Sequence, residues 1–271
     1  MKNNNPDVRQ PLAVDYRTAL RITKQGGVKI DAPISEEMPL TLYLNGKEIV
    51  TMLCTPSEEE ELALGFVVSE GMIKDSAALT KLTLDRERGM IWLEADEVRP
   101  EVAGRYLKRC LSACCGRGRA EFYFANDAAV SKHVESELCI QPDLVNYYAH
   151  ALEASAATHQ LTHGVHCGAV AAEGRFVAYS EDIGRHNVFD KLYGRCLKEK
   201  LTMQDKAIVF SGRVSSEILL KLSKMSVPIV IARSVPTTLA VDLAEELGIT
   251  LIGAAKGNGF TVYSHRQRIT E

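Results

Sequence analysis

Three cysteines lie in a stretch of the chain whose only charged side chains are positive. Between Glu101 and Glu121 the sequence carries five basic residues and no acidic one. Cys110, Cys114 and Cys115 lie among them, and two glycines that favour a flexible loop follow. Because the thiolate is the reactive form of cysteine and nearby cations lower the thiol pKa from about 8.5, this segment predicts reactive sulfur chemistry. The alternative is that the cysteines only pack and the arginines keep a bend soluble.

The C-terminal half of the chain has the pattern of a parallel sheet. From Lys206 onward, short apolar runs typical of strands alternate with longer stretches typical of amphipathic helices. The predicted strands are 207–210, 227–232 and 249–253, and the predicted helices are 214–225 and 237–247. This βαβαβ order implies parallel strands with right-handed crossovers. Earlier strands near 164–171 and 175–180 and a helix near 186–198 should extend the same layers.

Each of the three predicted parallel strands ends close to a basic residue. Arg213 follows the first, Arg233 the second and Lys256 the third. Ligands of open parallel sheets bind beyond the carboxyl ends of the strands, near helix N-termini, so we expect these cations to face one space suited to a phosphate or pyrophosphate. For any one of them, a solvated turn is the alternative. The predicted anion-binding residues at this edge are Arg213, Arg233, Ala254, Ala255, Lys256, Gly257, Asn258 and Gly259.

A further group of polar residues, in the segment 181–187, lies where a helix is predicted to begin. Asp182 can cap this helix or orient His186. Arg185 and Asn187 can hold a ligand, so all four residues are candidates for binding. The alternative is a capping network around a histidine whose hydrogen bonds are already satisfied.

The histidines and cysteines do not have the spacing of a usual zinc site. His163, His166 and Cys167 could bind zinc together with the loop cysteines, but Cys-x3-Cys-Cys is not a common ligand spacing. The run from His133 to Glu135 matches half of the zinc deaminase signature, and no P-C-x-x-C follows it. The chain also lacks a P-loop and the six-residue glycine fingerprint of dinucleotide folds. We expect no bound zinc, no ATPase activity and no NAD chemistry.

The composition is that of a soluble globular protein. Of the 271 residues, 46% are hydrophobic and 25% are charged, and the formal net charge is -3. This charge gives no general attraction to nucleic acid or membranes. The sequence shows neither an apolar run long enough to span a bilayer nor a signal peptide. We therefore expect a cytoplasmic protein whose seven cysteines are reduced.

The N-terminal half has a pattern that predicts a small α+β domain. Asn45-Gly46 is typical of a two-residue hairpin turn, Thr55 of a helix N-cap and Gly71 of a helix end. Strands near 80–84 and 89–95 and a helix near 99–107 complete this domain, and the polar residues before it predict an arm with at most one irregular strand. The predicted division is an N-terminal arm (1–37), a small α+β domain (38–108), the cysteine loop (109–120) and a larger α/β domain (121–271).

Several segments together resemble the FdhD/NarQ family of formate dehydrogenase accessory sulfurtransferases. The most specific of them is the run Asp182-Ile183-Gly184-Arg185-His186-Asn187. The others are Thr162-His163-Gly164-Val165-His166, Ser211-Gly212-Arg213-Val214-Ser215, Pro236-Thr237-Thr238-Leu239-Ala240 and Gly65-Phe66-Val67-Val68-Ser69-Glu70-Gly71. The resemblance covers nearly the whole chain from about residue 38.

The resemblance implies a function in sulfur transfer. Proteins of this family are understood to accept sulfur from a cysteine desulfurase as a persulfide. They deliver it to the molybdenum cofactor, in its bis(molybdopterin guanine dinucleotide) form, before the cofactor enters formate dehydrogenase. The cofactor is thus bound as a substrate, and the cationic strand edge is the expected place for its guanine dinucleotide. The resemblance also implies that the larger domain is a three-layer αβα unit resembling the cytidine deaminase fold, without its zinc chemistry.

The cysteine loop departs from the family pattern. Many members have C-G-x-C-G, whereas this chain reads Cys114-Cys115-Gly116-Arg117-Gly118, so the second cysteine of a C-x-x-C pair is absent. Aligning the Cys-Gly step makes Cys115 the persulfide carrier, counting from Ser112 makes it Cys114, and Cys110 is a candidate helper. The sequence leaves open a non-catalytic molybdenum cofactor-binding chaperone and a zinc-dependent nucleoside deaminase. It also leaves open whether the protein forms a homodimer.

Overall fold

The protein has a mixed α/β fold, and the strands of the described residues form three separate sheets. The computed structural model describes residues 10–99, 131 and 133–270, and the backbone of residues 109–111. The α/β class predicted from the sequence is confirmed. None of the helices in the described part of the chain is long and apolar enough to cross a membrane.

The described residues contain thirteen strands and six α-helices. The strands are β1 (Val14–Thr23), β2 (Gly26–Ser35), β3 (Met38–Leu44), β4 (Lys47–Cys54), β5 (Leu79–Asp85), β6 (Met90–Ala95), β7 (Arg109–Leu111), β8 (His166–Ala172), β9 (Arg175–Asp182), β10 (Ala207–Phe210), β11 (Ile229–Ala232), β12 (Thr250–Lys256) and β13 (Gly259–Val262). The helices are α1 (Glu59–Ser69), α2 (Pro142–Ser155), α3 (Ala157–Thr162), α4 (Arg185–Lys198), α5 (Ser216–Lys224) and α6 (Thr238–Glu246). Hydrogen bonds order the strands as β1-β2, β5-β6-β3-β4-β7 and β13-β12-β11-β10-β8-β9.

β1 and β2 form a two-stranded antiparallel ribbon, which we call the N-terminal ribbon (residues 14–35). Every residue from Val14 to Thr23 pairs with one from Ser35 back to Gly26. The sequence had predicted at most one irregular strand here, and that prediction was wrong. Apolar and polar residues alternate along each strand, from Val14 to Ile22 and from Val28 to Ile34, so the strand pattern was present in the sequence.

The five-stranded sheet packs against α1 and forms a small N-terminal unit. The predicted hairpin turn is confirmed, because Asn45 and Gly46 join β3 to β4 with φ values of 47° and 75°. Gly71, with φ of 72°, follows the end of α1 as predicted. The predicted start of α1 was wrong: the helix begins at Glu59, and the Thr55 hydroxyl accepts a hydrogen bond from Ile183 N at 3.1 Å. Thr55 thus connects the small unit to the rest of the protein.

The six-stranded sheet carries helices on both faces, which gives a three-layer αβα architecture. β10, β11 and β12 are parallel as predicted, while β8 and β13 run antiparallel to their neighbours. Because successive side chains of a strand point to opposite faces, Ile208 and Phe210 pack with α4, α5 and α6, whereas Ala207 and Val209 pack with α2. The more specific likeness to cytidine deaminases stays a prediction.

The small unit meets the three-layer unit at a very close crossing of α1 and α4. A Cβ atom on Gly194 would lie 1.9 Å from Glu61 O, and one on Gly65 would lie 1.8 Å from Asp190 O. Only glycine lets the two backbones approach this closely. The crossing therefore fixes how the small unit sits against the three-layer unit.

Candidate ligand pocket

A pocket of about 280 Å³ lies beyond the carboxyl ends of the parallel strands. Ser211 follows β10, Arg233 follows β11 and Lys256 ends β12, so all three strands contribute to its wall. This is the edge at which open parallel sheets bind ligands. The other lining residues are Leu152, Glu153, Ala156, His159 and Cys167. They belong to α2, α3, the residue between these helices, and the start of β8.

Arg233 and Lys256 give the pocket two positive side chains, and Glu153 adds a negative one. Arg233 Nη1 lies 2.9 Å from Glu153 Oε1, at a position where the Arg233 side chain is 26% exposed. The backbone N–H of Arg233 donates to Phe210 O at 3.0 Å, which holds the residue at the strand end. The pocket can therefore offer cationic donors to an anion and a carboxylate acceptor to a neighbouring N–H group.

The predicted loop at 254–259 is a hairpin turn rather than an entry into a helix. β12 continues through a bulge, and Lys256 pairs with Gly259 of β13. His150 Nε2 lies 2.7 Å from Gly257 O, so α2 contacts the turn. Because no helix begins directly after β12, the positive helix end expected at this strand is absent, and Lys256 itself supplies the charge. Of the remaining predicted residues here, Ala254 is half-buried, Ala255 is buried, and Asn258 and Gly259 are exposed.

Arg213 does not share the pocket with the other two cations. It is exposed and does not belong to the lining residues. The next residue, Val214, packs in the core on the face of the sheet that carries α4, α5 and α6, whereas the pocket lies beside α2. The structure thus brings together two of the three predicted cations.

Asp182 and Asn187, both predicted to bind a ligand, use their polar atoms inside the protein. The Asp182 carboxylate is fully buried, and its Oδ2 lies 2.6 Å from Lys191 Nζ. Its Oδ1 accepts hydrogen bonds from Gly184 N at 2.7 Å and from Asn187 Nδ2 at 2.8 Å. The Asn187 amide also donates to Leu53 O at 2.9 Å. This geometry matches the alternative interpretation of these two residues, an internal network at the start of α4.

Arg185 and His186 lie beside Glu217 at the starts of α4 and α5. His186 Nε2 lies 3.2 Å from Glu217 Oε2 and 3.4 Å from Arg185 Nε. The contact with the Glu217 carboxylate needs a proton on His186 Nε2, whereas the contact with Arg185 needs a lone pair there. Only one of the two can be a hydrogen bond at a time. The three side chains form a half-buried polar group next to the internal network.

His166 lies between this polar group and the pocket. Its chain neighbour Cys167 lines the pocket, and a Cβ atom on Gly212 would lie 3.0 Å from His166 Nδ1. Burial lowers the pKa of His166, and the positive charge of Arg185 lowers it further. The imidazole is therefore mainly neutral at pH 7, so it adds little to the positive charge of the pocket.

The buried cysteines of the described residues are poor nucleophiles. Burial raises the pKa of Cys54, Cys167 and Cys196 to about 12 in each case. Cys139 is exposed. Cys110 lies in β7, whose backbone pairs with β4. The predicted sulfur carriers, Cys114 and Cys115, lie outside the described residues.

We expect Cys54, Cys167 and Cys196 to resist iodoacetamide in the native protein at pH 8. With pKa values of about 12, only on the order of one thiol in ten thousand is ionised at that pH. Peptide mass spectrometry after a short incubation should find these three unmodified, with Cys139 as the exposed control. Equal labelling of Cys167 and Cys139 would contradict the assignment of Cys167 as an unreactive pocket residue.

Four pocket residues lay in a segment that the sequence analysis did not single out, and two of them, Glu153 and His159, are polar. Both belong to the α2–α3 segment, far along the chain from the strand ends they join, and no local motif marks them. Among the residues that the structure describes, no group of three or more His, Cys, Asp or Glu is placed to hold a metal ion. The absence of zinc stays a prediction.

The fold and the pocket define a class: an α/β protein with a cation-lined pocket at the carboxyl ends of parallel strands. Residues 35–270 match the model of the FdhD/NarQ family. The chain therefore belongs to this family, as the sequence motifs predicted.

Individual relatives cover almost the whole chain. It is 43% identical over 261 residues to the sulfur carrier protein FdhD of Geobacillus kaustophilus, with 96% of each chain covered. It is also 43% identical over 251 residues to the protein of the same name from Bacillus subtilis, covering 92% of this chain and 95% of that one. A crystal structure titled "putative formate dehydrogenase accessory protein from Desulfotalea psychrophila" superimposes with a TM-score of 0.78. It is 23% identical and covers 96% of this chain and 100% of its own, so it shows the shared fold.

Proposed function

We propose that this protein is a cytoplasmic sulfurtransferase. It accepts persulfide sulfur from a cysteine desulfurase and transfers it to the molybdenum cofactor, in its bis(molybdopterin guanine dinucleotide) form, for the activation of formate dehydrogenase. The observation that carries the proposal is the 43% identity, over 96% of the chain, to a relative named a sulfur carrier protein.

The carrier is Cys115, or Cys114 in the other alignment of the loop. Three of the four cysteines whose side chains the structure describes are buried with pKa values of about 12, so they do not supply a thiolate. The loop cysteines instead lie among five basic residues, which favour the thiolate and then the persulfide anion.

Sulfur uptake follows thiol–disulfide exchange chemistry. The carrier thiolate attacks the outer sulfur of the donor persulfide, a bond forms between these sulfurs, and the donor S–S bond breaks. The donor leaves as a thiolate, and the carrier holds the outer sulfur as a persulfide anion. On delivery this sulfur takes two electrons from the molybdenum of the substrate, and the carrier regains its thiolate.

The pocket beside α2 holds one guanine nucleotide end of the cofactor. A volume of about 280 Å³ is at the lower end for ligand pockets, so it suits a single nucleotide and not both. Arg233 and Lys256 can bind the diphosphate through charge-assisted hydrogen bonds. Glu153 can accept hydrogen bonds from the N–H groups on the Watson–Crick edge of guanine. The polar group of Arg185 and His186 then faces a neighbouring part of the substrate.

Guanosine diphosphate tests the pocket directly. We expect calorimetry to show binding that weakens roughly 10- to 100-fold in Arg233→Ala and in Lys256→Ala, because each removes a charge-assisted contact. Binding should also weaken as salt rises. Arg213→Ala is the matched control, since it removes an exposed arginine that does not line the pocket. Unchanged affinity for guanosine diphosphate in both pocket variants would reject this site. If Arg213→Ala weakens the affinity equally, the binding site includes Arg213 and extends toward α5.

A non-catalytic cofactor chaperone is the second candidate. The observation that favours it is the pocket itself, whose lining offers cations and a carboxylate but no thiol of low pKa. Such a chaperone would bind the guanine nucleotide and still function without any loop thiol. Substitution of the loop cysteines separates the two candidates.

A further inference from the structure

The end of β7 lies next to the start of α4. β7 pairs in parallel with β4, and its last residue, Leu111, is opposite Met52. The residue after Met52, Leu53, accepts a hydrogen bond from the Asn187 amide at 2.9 Å, and Asn187 belongs to the first turn of α4. Because paired strands are only about 5 Å apart, the chain leaves β7 beside this turn.

The proposed sulfur carriers follow β7 closely along the chain. Cys114 comes three residues and Cys115 four residues after Leu111. An extended chain spans at most about 3.6 Å per residue, which limits the two Cα atoms to within about 11 Å and about 14 Å of Leu111 Cα. The start of α4 is therefore within reach of a carrier thiol.

His186, in the first turn of α4, has one ring nitrogen that is engaged and one that is not. Nε2 lies 3.2 Å from Glu217 Oε2, whereas within the described part of the chain Nδ1 forms no hydrogen bond. The Glu217 contact is charge-assisted, and it is shorter than the 3.4 Å contact between Nε2 and Arg185 Nε. With the proton on Nε2, the Nδ1 of a neutral imidazole carries a lone pair and can accept a proton.

The surroundings of His186 suit a group that exchanges protons with a ligand. The side chains of His186 and Glu217 are 24% and 22% exposed, so they are accessible and also held by their neighbours. The charged and titratable groups nearby are Arg185 on the same helix, Glu217 on α5, His166 at the start of β8 and the buried Asp182–Lys191 pair. The ion pair is internally balanced and the His166 imidazole is mainly neutral. Arg185 and Glu217 are therefore the charged groups that act on the ring.

We propose that His186, oriented by Glu217, is the general base that removes the proton from the carrier thiol. This inference rests on the proposed function, because it adds a residue to the sulfur uptake described there. The thiol proton moves to Nδ1, and the carrier thiolate attacks the outer sulfur of the donor persulfide. When the donor S–S bond has broken, the proton passes from Nδ1 to the donor thiolate, which leaves the imidazole neutral again. The Arg185 guanidinium then pairs with the persulfide anion on the carrier.

The pH dependence of sulfur loading tests this role. In a single turnover with labelled sulfur from a cysteine desulfurase, His186→Gln should slow loading at least about tenfold at pH 7, because glutamine cannot take up the proton. The difference should shrink above about pH 9, where a thiol of ordinary pKa, about 8.5, ionises without a base. His265→Gln is the matched control and should load at the unsubstituted rate. His265 also contacts a glutamate, with Nε2 3.5 Å from Glu245 Oε2, but this pair lies near the end of α6.

A second measurement needs no desulfurase. Alkylation of the peptide that holds Cys114 and Cys115 by iodoacetamide reports the thiolate, and its midpoint pH should rise in His186→Gln but not in His265→Gln. Thermal unfolding establishes that both variants are folded. A loading rate and a midpoint that match the unsubstituted protein would overturn the inference and leave the proposed function intact, and a loss of loading that is the same at every pH would also overturn it. If the unsubstituted protein takes up no labelled sulfur, the proposed function fails, and the alkylation midpoint still decides whether His186 serves the thiol as a base.

Discussion

A variant with alanine at both Cys114 and Cys115 is expected to lose sulfur transfer completely. None of the four cysteines whose side chains the structure describes combines exposure with a run of cations: Cys54, Cys167 and Cys196 are buried, and Cys139 lies outside the basic stretch. The double substitution removes both of the proposed carrier thiols, and these are the groups that would attack the donor persulfide. The effect should therefore approach total loss rather than a partial decrease.

The measurement follows labelled sulfur from a cysteine desulfurase onto the protein, and then the activation of formate dehydrogenase. Label should appear on the peptide that holds Cys114 and Cys115 and be absent from the double variant. Single alanine variants decide which of the two is the carrier, and Cys110→Ala tests the proposed helper. Cys139→Ala is the matched control and should behave as the unsubstituted protein, with thermal unfolding measured for all. If the double variant still activates the enzyme, the protein is a chaperone rather than a sulfurtransferase.

Replacement of Lys191 by methionine is expected to lower the free energy of unfolding by about 3–5 kcal/mol. Lys191 and Asp182 are fully buried, with Nζ and Oδ2 2.6 Å apart. The ammonium group also donates to Thr55 O at 3.3 Å and to Glu181 O at 3.2 Å. Removing the lysine leaves the Asp182 carboxylate buried without its counter-ion, and that uncompensated charge is the main cost.

Lys198→Met is the matched control for this variant, because Lys198 is on the same helix and pairs with Glu60 and Glu61. Its side chain is 41% exposed, so we expect a loss below about 1 kcal/mol. Urea unfolding measures both variants. Adding Asp182→Asn to Lys191→Met should recover part of the stability, since it removes the unpaired charge. Equal losses for Lys191→Met and Lys198→Met would show that the buried Asp182–Lys191 pair contributes no more to stability than an exposed pair.

The network around Asp182 explains why a motif that identifies the family is also structural. Thr55 N donates to Asp182 Oδ2 at 3.1 Å and Asn187 donates to Leu53 O at 2.9 Å, so residues of the motif hold the end of β4. The same segment presents Arg185 and His186 toward Glu217. Asp182 and Asn187 thus position the segment, and a substrate contact by Arg185 and His186 remains part of the proposal.

The sequence by itself determined the local elements and the order of the parallel strands. Hydrophobic periods, the Asn45-Gly46 turn and the glycine after α1 depend on neighbours along the chain, which is why they could be predicted. The sequence also predicted that Arg233 and Lys256 lie at one edge of the sheet, because parallel strands bring their carboxyl ends together. Family membership followed from the order of the motifs.

Only the tertiary structure decided which polar residues share a space. It brought Glu153 and His159 to the pocket, left Arg213 outside it and buried Asp182 against Lys191. It also left the alternating apolar residues of the N-terminal ribbon exposed, although such a pattern usually indicates a strand with one buried face. These outcomes depend on contacts between segments that are distant along the chain, and such contacts leave no mark in the local spacing of residues.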